Sequence, residues 1–336
     1  MKWRLDRGDP VRLPVVFTAT AYEDGTNPLC ALVIGRWKER DETVRFLQYL
    51  INGVSIGSVY AIIALGYTMV YGIARMLNFA HGDVIMVGAY MSYCVTSYLG
   101  LPAIVGVIVA ALVCTLLGIL IEGLAYKPLR GVPSLAVLIT AIGVSYFLQN
   151  AAQLIFGSAP KNFKSIVTMK PLVLFGGGLT ITGEVMVTVL ACVVIMVGLT
   201  LFTGKTKMGK SMRAVSEDRD AAQLMGINVN RTISITFAIG SALAAVAGVL
   251  LCSTVPTLMP TTGSMPGIRA FTAAVFGGIG SIPGAMLGGI LLGVIETFSK
   301  AYLSTQFSDA IVFLVLIVIL LVKPAGLLGK NVQEKV

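Results

Sequence analysis

Apolar and polar positions in this chain are segregated into long blocks instead of alternating along short elements. Apolar stretches run over residues 47–70, 79–99, 101–125, 135–156, 185–203, 233–252 and 310–322, and another over 268–298 is broken by glycine and proline. Blocks of about 20 residues match the hydrocarbon core of a bilayer. The pattern predicts an all-α integral membrane protein, a polytopic helical bundle with about eight spans and with broken or re-entrant segments.

Composition strengthens that reading. Apolar residues make up 56% of the 336, charged residues only 12%, and the mean hydropathy of +0.87 lies outside the range of water-soluble domains. Little length remains for a large aqueous domain. The net charge of +9 would suggest nucleic-acid binding in a soluble protein, but most of the 25 Lys and Arg residues fall in connections between apolar blocks. No basic helix with interleaved aromatics is present, so the lipid bilayer is the expected partner and nucleic acid is not.

The cationic connections set a topology. Residues 126–134 carry Lys127 and Arg130, and residues 204–231 carry Lys205, Lys207, Lys210, Arg213, Arg219 and Arg231, so both are expected in the cytoplasm. Counting passes puts 157–183 outside. With the tail after Lys323 inside, 268–298 must cross an even number of times or re-enter, as a broken hairpin does. Counting toward the N-terminus puts residue 45 outside, whereas Arg36, Lys38, Arg40 and Arg45 argue for inside. Either one of the first three blocks re-enters, or the N-terminal extension is absent or anomalous.

The expected organisation is a polar extension over 1–45, a transmembrane domain over 46–323 that includes the cytoplasmic connection 204–231, and a cytoplasmic tail over 324–336. The extension lacks the compact apolar run of a secretory signal and is expected to be loosely attached or disordered, or untranslated if initiation falls near Val44 or Phe46.

Two interruptions stand out within the apolar blocks. Residues 76–88 read MLNFAHGDVIMVG and residues 276–289 read FGGIGSIPGAMLGG. Interrupted helices free backbone groups to face a cavity, which predicts a translocation path near Asn78, His81, Asp83, Gly277, Gly278, Gly280 and Ser281. Two structural readings stay open beside it. The glycine pairs Gly53/Gly57, Gly284/Gly288 and Gly289/Gly293 suit close helix packing, and His81 with Asp83 suits a polar pair capping a broken helix.

Glu122, Glu184 and Glu296 stand at the ends of apolar blocks and read as boundary residues reaching the interface. The single histidine, His81, has only Asp83 close by, so neither a metal site nor a cofactor is expected. Cys94, Cys114, Cys192 and Cys252 lie in apolar segments and read as packing residues.

Residues 204–211 read GKTKMGKS, which matches a phosphate-binding P-loop literally. That chemistry needs a buried strand before the loop and a helix after it in an α/β domain. Here an apolar block of membrane-spanning length precedes it, so the match is not read as a nucleotide site. Beyond it, Met212 to Leu224 reads as amphipathic helical turns, ended by Gly226 and followed by Asn228 and Asn230. Ala214, Val215, Ala221, Ala222, Leu224 and Met225 supply apolar anchors for another subunit, against the plainer reading of a solvated connector.

Three long motifs occur in order: NGVSIGSVYAIIALGYTMVYGIARMLNFAHGD, VSEDRDAAQLMGIN and AFTAAVFGGIGSIPGAMLGG. From about Phe46 onward the chain resembles the permease subunits of bacterial branched-chain amino acid ABC importers, most closely the H-type subunit. The resemblance implies an inner-membrane protein that pairs with a second related permease and receives substrate from a periplasmic substrate-binding protein. It also implies two cytoplasmic ABC ATPase subunits, with no catalytic site or cofactor in the permease itself. Similarity places the coupling element over 217–228 and puts 78–83 beside the path; the expected residues of the wider ATPase-coupling loop 204–231 are Arg213, Glu217, Asp218, Arg219, Ala221, Ala222, Leu224 and Gly226. Urea, short amides or other amino acids remain alternative substrates within the broader family. The rival classes are an ATP-independent secondary transporter, for which few buried ionisable residues are evident, and an intramembrane enzyme, for which no nucleophile–base pair is evident.

Overall fold

The computed structural model describes residues 28–174 and 179–329, with side chains described from residue 42 onward. The outermost parts of the N-terminal extension (1–27) and of the tail (330–336) lie outside the described residues. The helices are α1 (Pro28–Ala74), α2 (His81–Tyr93), α3 (Ala103–Ile121), α4 (Ser134–Phe156), α5 (Gly183–Lys205), α6 (Lys207–Glu217), α7 (Arg219–Leu224), α8 (Val229–Thr254), α9 (Ser264–Gly277), α10 (Ile282–Tyr302) and α11 (Ser308–Val322). A π-helical turn, Cys94–Tyr98, prolongs α2, and further tight turns carry α3 through Leu129. Two antiparallel pairs join β1 (Lys161–Asn162) to β4 (Thr257–Leu258) and β2 (Leu172–Leu174) to β3 (Leu179–Ile181). Helix α1 is continuous across the boundary expected at residues 45 and 46, so no break in the backbone marks it.

Among the described residues, six helices are long and apolar enough to cross a membrane. Helices α2, α9 and α11 are shorter, at 13, 14 and 15 residues. At 1.5 Å per residue they reach only about 20 Å, against roughly 30 Å of hydrocarbon. Helix α1 is the axis of the bundle: 89% of its apolar window is buried, against 17% for α4 and for α5, whose side chains are left for lipid. Without a hydrophobic drive between helices in lipid, association rests on close packing. Gly57 provides it between α1 and α10, since a Cβ there would lie 2.7 Å from the Ile290 Cα. The packing reading therefore holds for Gly53/Gly57 and Gly289/Gly293, which face one another across these two antiparallel helices.

Opposite ends of the bundle differ in chemistry. At the basic end, Arg130 pairs with Glu122 and donates to Asn230, bringing the connections before α4 and before α8 together. At the other end, β1 meets β4, and the Gln48 side chain exchanges two 3.0 Å hydrogen bonds with the Thr180 backbone. Residue 48 thus shares a face with 157–183, as pass counting requires. The arginines of the extension do not pull the start of α1 to the basic end.

Two helices begin inside the bundle. After Ala74 the chain turns back, and α2 starts with His81 against Gly66, about 12 Å up α1 from its end. After β4 the chain dips again, and α9 starts with Gly263 against Gly82. A Cβ on Gly263 would lie 1.8 Å from the Gly82 carbonyl oxygen, so the two helix starts meet at a contact that only glycines allow. From this junction α2 runs to one face and α9 to the other. The second interior interruption is therefore at 255–263, which its sequence did not announce. Residues 277–281 instead form the tip of the α9–α10 hairpin at the basic end, where Gly280 lies 3.3 Å from a Cβ placed on Gly72.

Candidate functional site

Residues 76–80 form a non-helical strap between α1 and α2. It follows Arg75, whose φ of +51° is left-handed and unusual for a residue with a side chain. At its far end, Asn78 Oδ1 accepts a 2.9 Å hydrogen bond from the Tyr126 hydroxyl, and the Asn78 carbonyl accepts from the His81 N–H at 3.2 Å. The His81 ring packs on Tyr67 with centroids 4.6 Å apart. Asp83 sits in the first turn of α2, where the helix dipole favours a carboxylate. It accepts from Gln149 Nε2 at 2.9 Å, and that same nitrogen lies 3.2 Å from Ser264 Oγ at the start of α9. Asp83 therefore ties α2, α4 and α9 together at the interior junction.

Two cavities lie on either side of the strap. The inner one, about 10 Å³, is lined by Tyr67, Val70, Asn78, His81, Phe271 and Ile279 among others, and has room for about one water. The outer one opens at the basic end and encloses about 730 Å³ between the strap, residues 129–137 and the start of α7. That volume lies within the range of ligand cavities, about 300–1,000 Å³. Tyr71, Met76 and Leu77 line both, so they form the wall between an open vestibule and a closed interior.

The hairpin tip supplies the other side of the inner cavity. Gly277 packs against Gly284, whose carbonyl oxygen would lie 2.0 Å from a Cβ at position 277. Gly278 and Gly280 turn the chain at φ of +103° and +93°, and Ser281 caps α10 by accepting from the Gly284 N–H at 3.2 Å. Ile279, held between the two turn glycines, faces the cavity that Asn78 and His81 line. The fold thus gathers Asn78, His81 and Ile279 around one cavity, while Asp83, Gly277, Gly278, Gly280 and Ser281 sit in the framework around it.

The connection after α5 is built from capped helices. Thr206 caps α6 by accepting from the Gly209 N–H at 3.0 Å, so GKTKMGKS lies across a helix end and the next helix start, with a helix and not a strand before it. Asp218 caps α7 through the Asp220 and Ala221 N–H groups at 2.9 and 3.0 Å, Gly226 ends it at φ +80°, and Asn228 caps α8. The apolar anchors divide by direction. Met212, Val215 and Ala222 are buried in the protein, whereas Leu224 and Met225 are 88% and 82% exposed, beside exposed Ala221, Arg213 and Glu217.

Arg219 turns inward and donates to the Ala74 carbonyl, while Arg75 Nη2 donates to the Ser216 carbonyl at 2.9 Å. Burial, then the neighbouring charges of Arg75 and Arg130, lower the Arg219 pKa, yet a guanidinium keeps its proton in a protein.

The boundary reading needs correction for Glu296 and Glu122, which are buried, whereas Glu184 is half-buried at the start of α5. Glu296 has no exposure and is paired with Arg269 at 2.8 Å and Lys300 at 2.5 Å, while Arg269 also reaches Asp309 at 2.5 Å and the Tyr60 hydroxyl at 3.0 Å. Glu122 is likewise buried, held by Arg130 and by the Ser234 hydroxyl at 2.6 Å. Glu184 accepts from Ser165 at 3.0 Å. The signal for the first cluster was Arg269, a lone cation inside an apolar block.

A family model described as "Branched-chain amino acid transport system / permease component" matches residues 49–320. The chain is 46% identical over 310 residues to the high-affinity branched-chain amino acid transport system permease protein LivH of Salmonella typhimurium, covering 88% of this chain and 99% of that protein. It is 46% identical over 308 residues to BraD of Pseudomonas aeruginosa, with the same coverage. A probable LivH of Methanocaldococcus jannaschii is 30% identical over 298 residues, covering 84% and 92%. With this match and an arrangement of broken helices around a strap, the chain belongs to the family of branched-chain amino acid transport system permease components.

Proposed function

We propose that this protein is a membrane-spanning subunit of an ATP-driven importer of branched-chain amino acids in the bacterial inner membrane. Leucine, isoleucine or valine arrives from a periplasmic binding protein and passes the strap and the hairpin tip, and a second related permease completes the path. ATP is hydrolysed on two separate cytoplasmic subunits, one of them seated on α6 and α7. The observation that carries this reading is the vestibule of about 730 Å³, open beside these helices and walled from the interior by Tyr71, Met76 and Leu77. Alternating access requires a cavity open to one side at a time. The outward Leu224 and Met225 support docking of another subunit, because two large apolar side chains so exposed at a helix end have no partner within the described chain.

Asn78, His81 and Ile279 border the path, with Asp83, Gly277, Gly278, Gly280 and Ser281 holding their positions. Purification from the native membrane, partner identification and reconstitution into vesicles test the reading. Leucine uptake should require ATP and the binding protein, whereas uptake driven by an ion gradient without ATP would point to a secondary transporter. The pair Leu224→Asp and Met225→Asp should abolish ATPase co-purification while membrane insertion stays normal.

A further inference from the structure

The ends of α1 and α6 are joined in an unusual way. The last carbonyls of a helix lack partners within it and must find donors elsewhere. Here each helix receives its donor from the arginine that follows the other. Arg75, just past α1, donates from Nη2 to the Ser216 carbonyl at 2.9 Å and lies 3.4 Å from the Glu217 carbonyl at the end of α6. Arg219, just past α6 across the extended Asp218, donates to the Ala74 carbonyl at the end of α1. A cation at a helix C-terminus also meets the negative end of the helix dipole, so each contact is charge-assisted in two ways.

The position of this exchange matters more than its strength. Arg75 is the last residue before the strap, and Met76 and Leu77, the next two, belong to the wall between vestibule and inner cavity. The strap's other end is fixed independently, by Tyr126 on Asn78. Tyr126 lies at the end of α3, in the segment tied through Glu122 and Arg130 to Asn230. The strap is thus stretched between two anchors: one on the α6–α7 corner and one on α3. A displacement of α6 and α7 relative to α3 changes the span of the strap, and with it the wall.

We propose that Arg75 and Arg219 form a reciprocal clasp that delivers movement of α6 and α7 to the strap, making them positioning residues for opening the wall at Tyr71, Met76 and Leu77. This rests on the reading of α6 and α7 as the ATPase-bearing element and says which contacts carry its motion inward. Leu224 and Met225, facing outward, would dock the partner; the clasp, facing inward, would pass the stroke on.

The test measures ATP hydrolysed and leucine taken up in the same vesicles, using the full complex. Arg75→Gly suits the left-handed backbone and removes the side chain with its guanidinium; Arg219→Ala removes the other half. Both variants should still assemble with the ATPase, and each should lower leucine transported per ATP by about tenfold, the worth of one charge-assisted hydrogen bond. Because the two act as one device, the double variant should fall no further than the lower single, whereas independent effects would multiply. Arg219→Lys, retaining the charge and one donor, should recover part of the ratio and replaces the alanine variant if that one fails to assemble. Unchanged transport per ATP in both singles, or a double variant that falls by the product, overturns the clasp while leaving the importer reading intact. A wild-type complex without ATP-dependent uptake overturns the importer reading, and the clasp with it.

Discussion

The strap after Ala74 and the hairpin tip after Gly277 border the same small cavity, yet they are held in different ways. The tip is gripped by backbone. Leu327 and Leu328 donate to the Phe276 and Gly277 carbonyls at 2.9 Å each, and Gly278 is pressed so closely on Gly329 that a Cβ would lie 2.4 Å from its nitrogen. Farther along the hairpin, the Arg269, Glu296, Lys300 and Asp309 cluster ties α9 to α10 and α11. The strap has no such grip. Side chains hold it: Tyr126 at one end and two arginines bordering an open vestibule at the other. Backbone packing of this density moves as a unit or not at all, whereas the arginine contacts beside the open vestibule exchange at small cost. One wall of the inner cavity is therefore held by backbone and the other by side chains that can be repositioned.

Variants at each wall separate the two, from the largest effect to the smallest. Arg269→Met leaves Glu296 buried with one cation fewer and should destabilise the protein by about 3 kcal/mol or more, read as an earlier midpoint of SDS unfolding. Gly278→Ala combines a left-handed backbone with a backbone clash and should cost about 2 kcal/mol by the same assay. At the strap, Tyr126→Phe leaves the buried Asn78 Oδ1 without its donor and should cost about 1–3 kcal/mol by the same assay. It should also raise ATP hydrolysis without substrate about threefold, because one end of the strap is released. Gly280→Ala should cost about 1 kcal/mol, since a Cβ there meets nothing and only the conformational strain remains. Substrate-free ATP hydrolysis that rises in Gly278→Ala as much as in Tyr126→Phe would remove the distinction between the walls.

Much of this arrangement was legible in the chain. Apolar blocks at 135–156, 185–203 and 233–252 lie within the helices Ser134–Phe156, Gly183–Lys205 and Val229–Thr254, because span length is dictated by the bilayer and written directly in hydropathy. The strap announced itself by polar residues between apolar blocks. The matching interruption at 255–263 did not: Pro256, Pro260, Thr261 and Thr262 look like any surface connection, and only the contact of Gly263 with Gly82 places them inside. The ion cluster was hidden for a related reason. Arg269 finds Glu296 and Asp309 on other helices, and local pattern cannot report partners that tertiary packing brings together. In the connection after α5, helical turns and caps could be read from residue type, but which anchors face inward and which outward depended on the bundle beneath.

The central claim is that ATP binding moves the strap and leaves the hairpin tip in place. Pulsed electron–electron distances measure both at once in the assembled complex, in a background where the 5 native cysteines are replaced. One spin-label pair, at Leu77 and Val132, spans the vestibule from the strap; the other, at Ser281 and Leu328, spans the tip and the tail that grips it. Addition of a non-hydrolysable ATP analogue should shift the first distance by at least about 2 Å, the scale of helix displacements in switching proteins, and leave the second unchanged. A stationary Leu77–Val132 distance, or a shift confined to Ser281–Leu328, would contradict the claim.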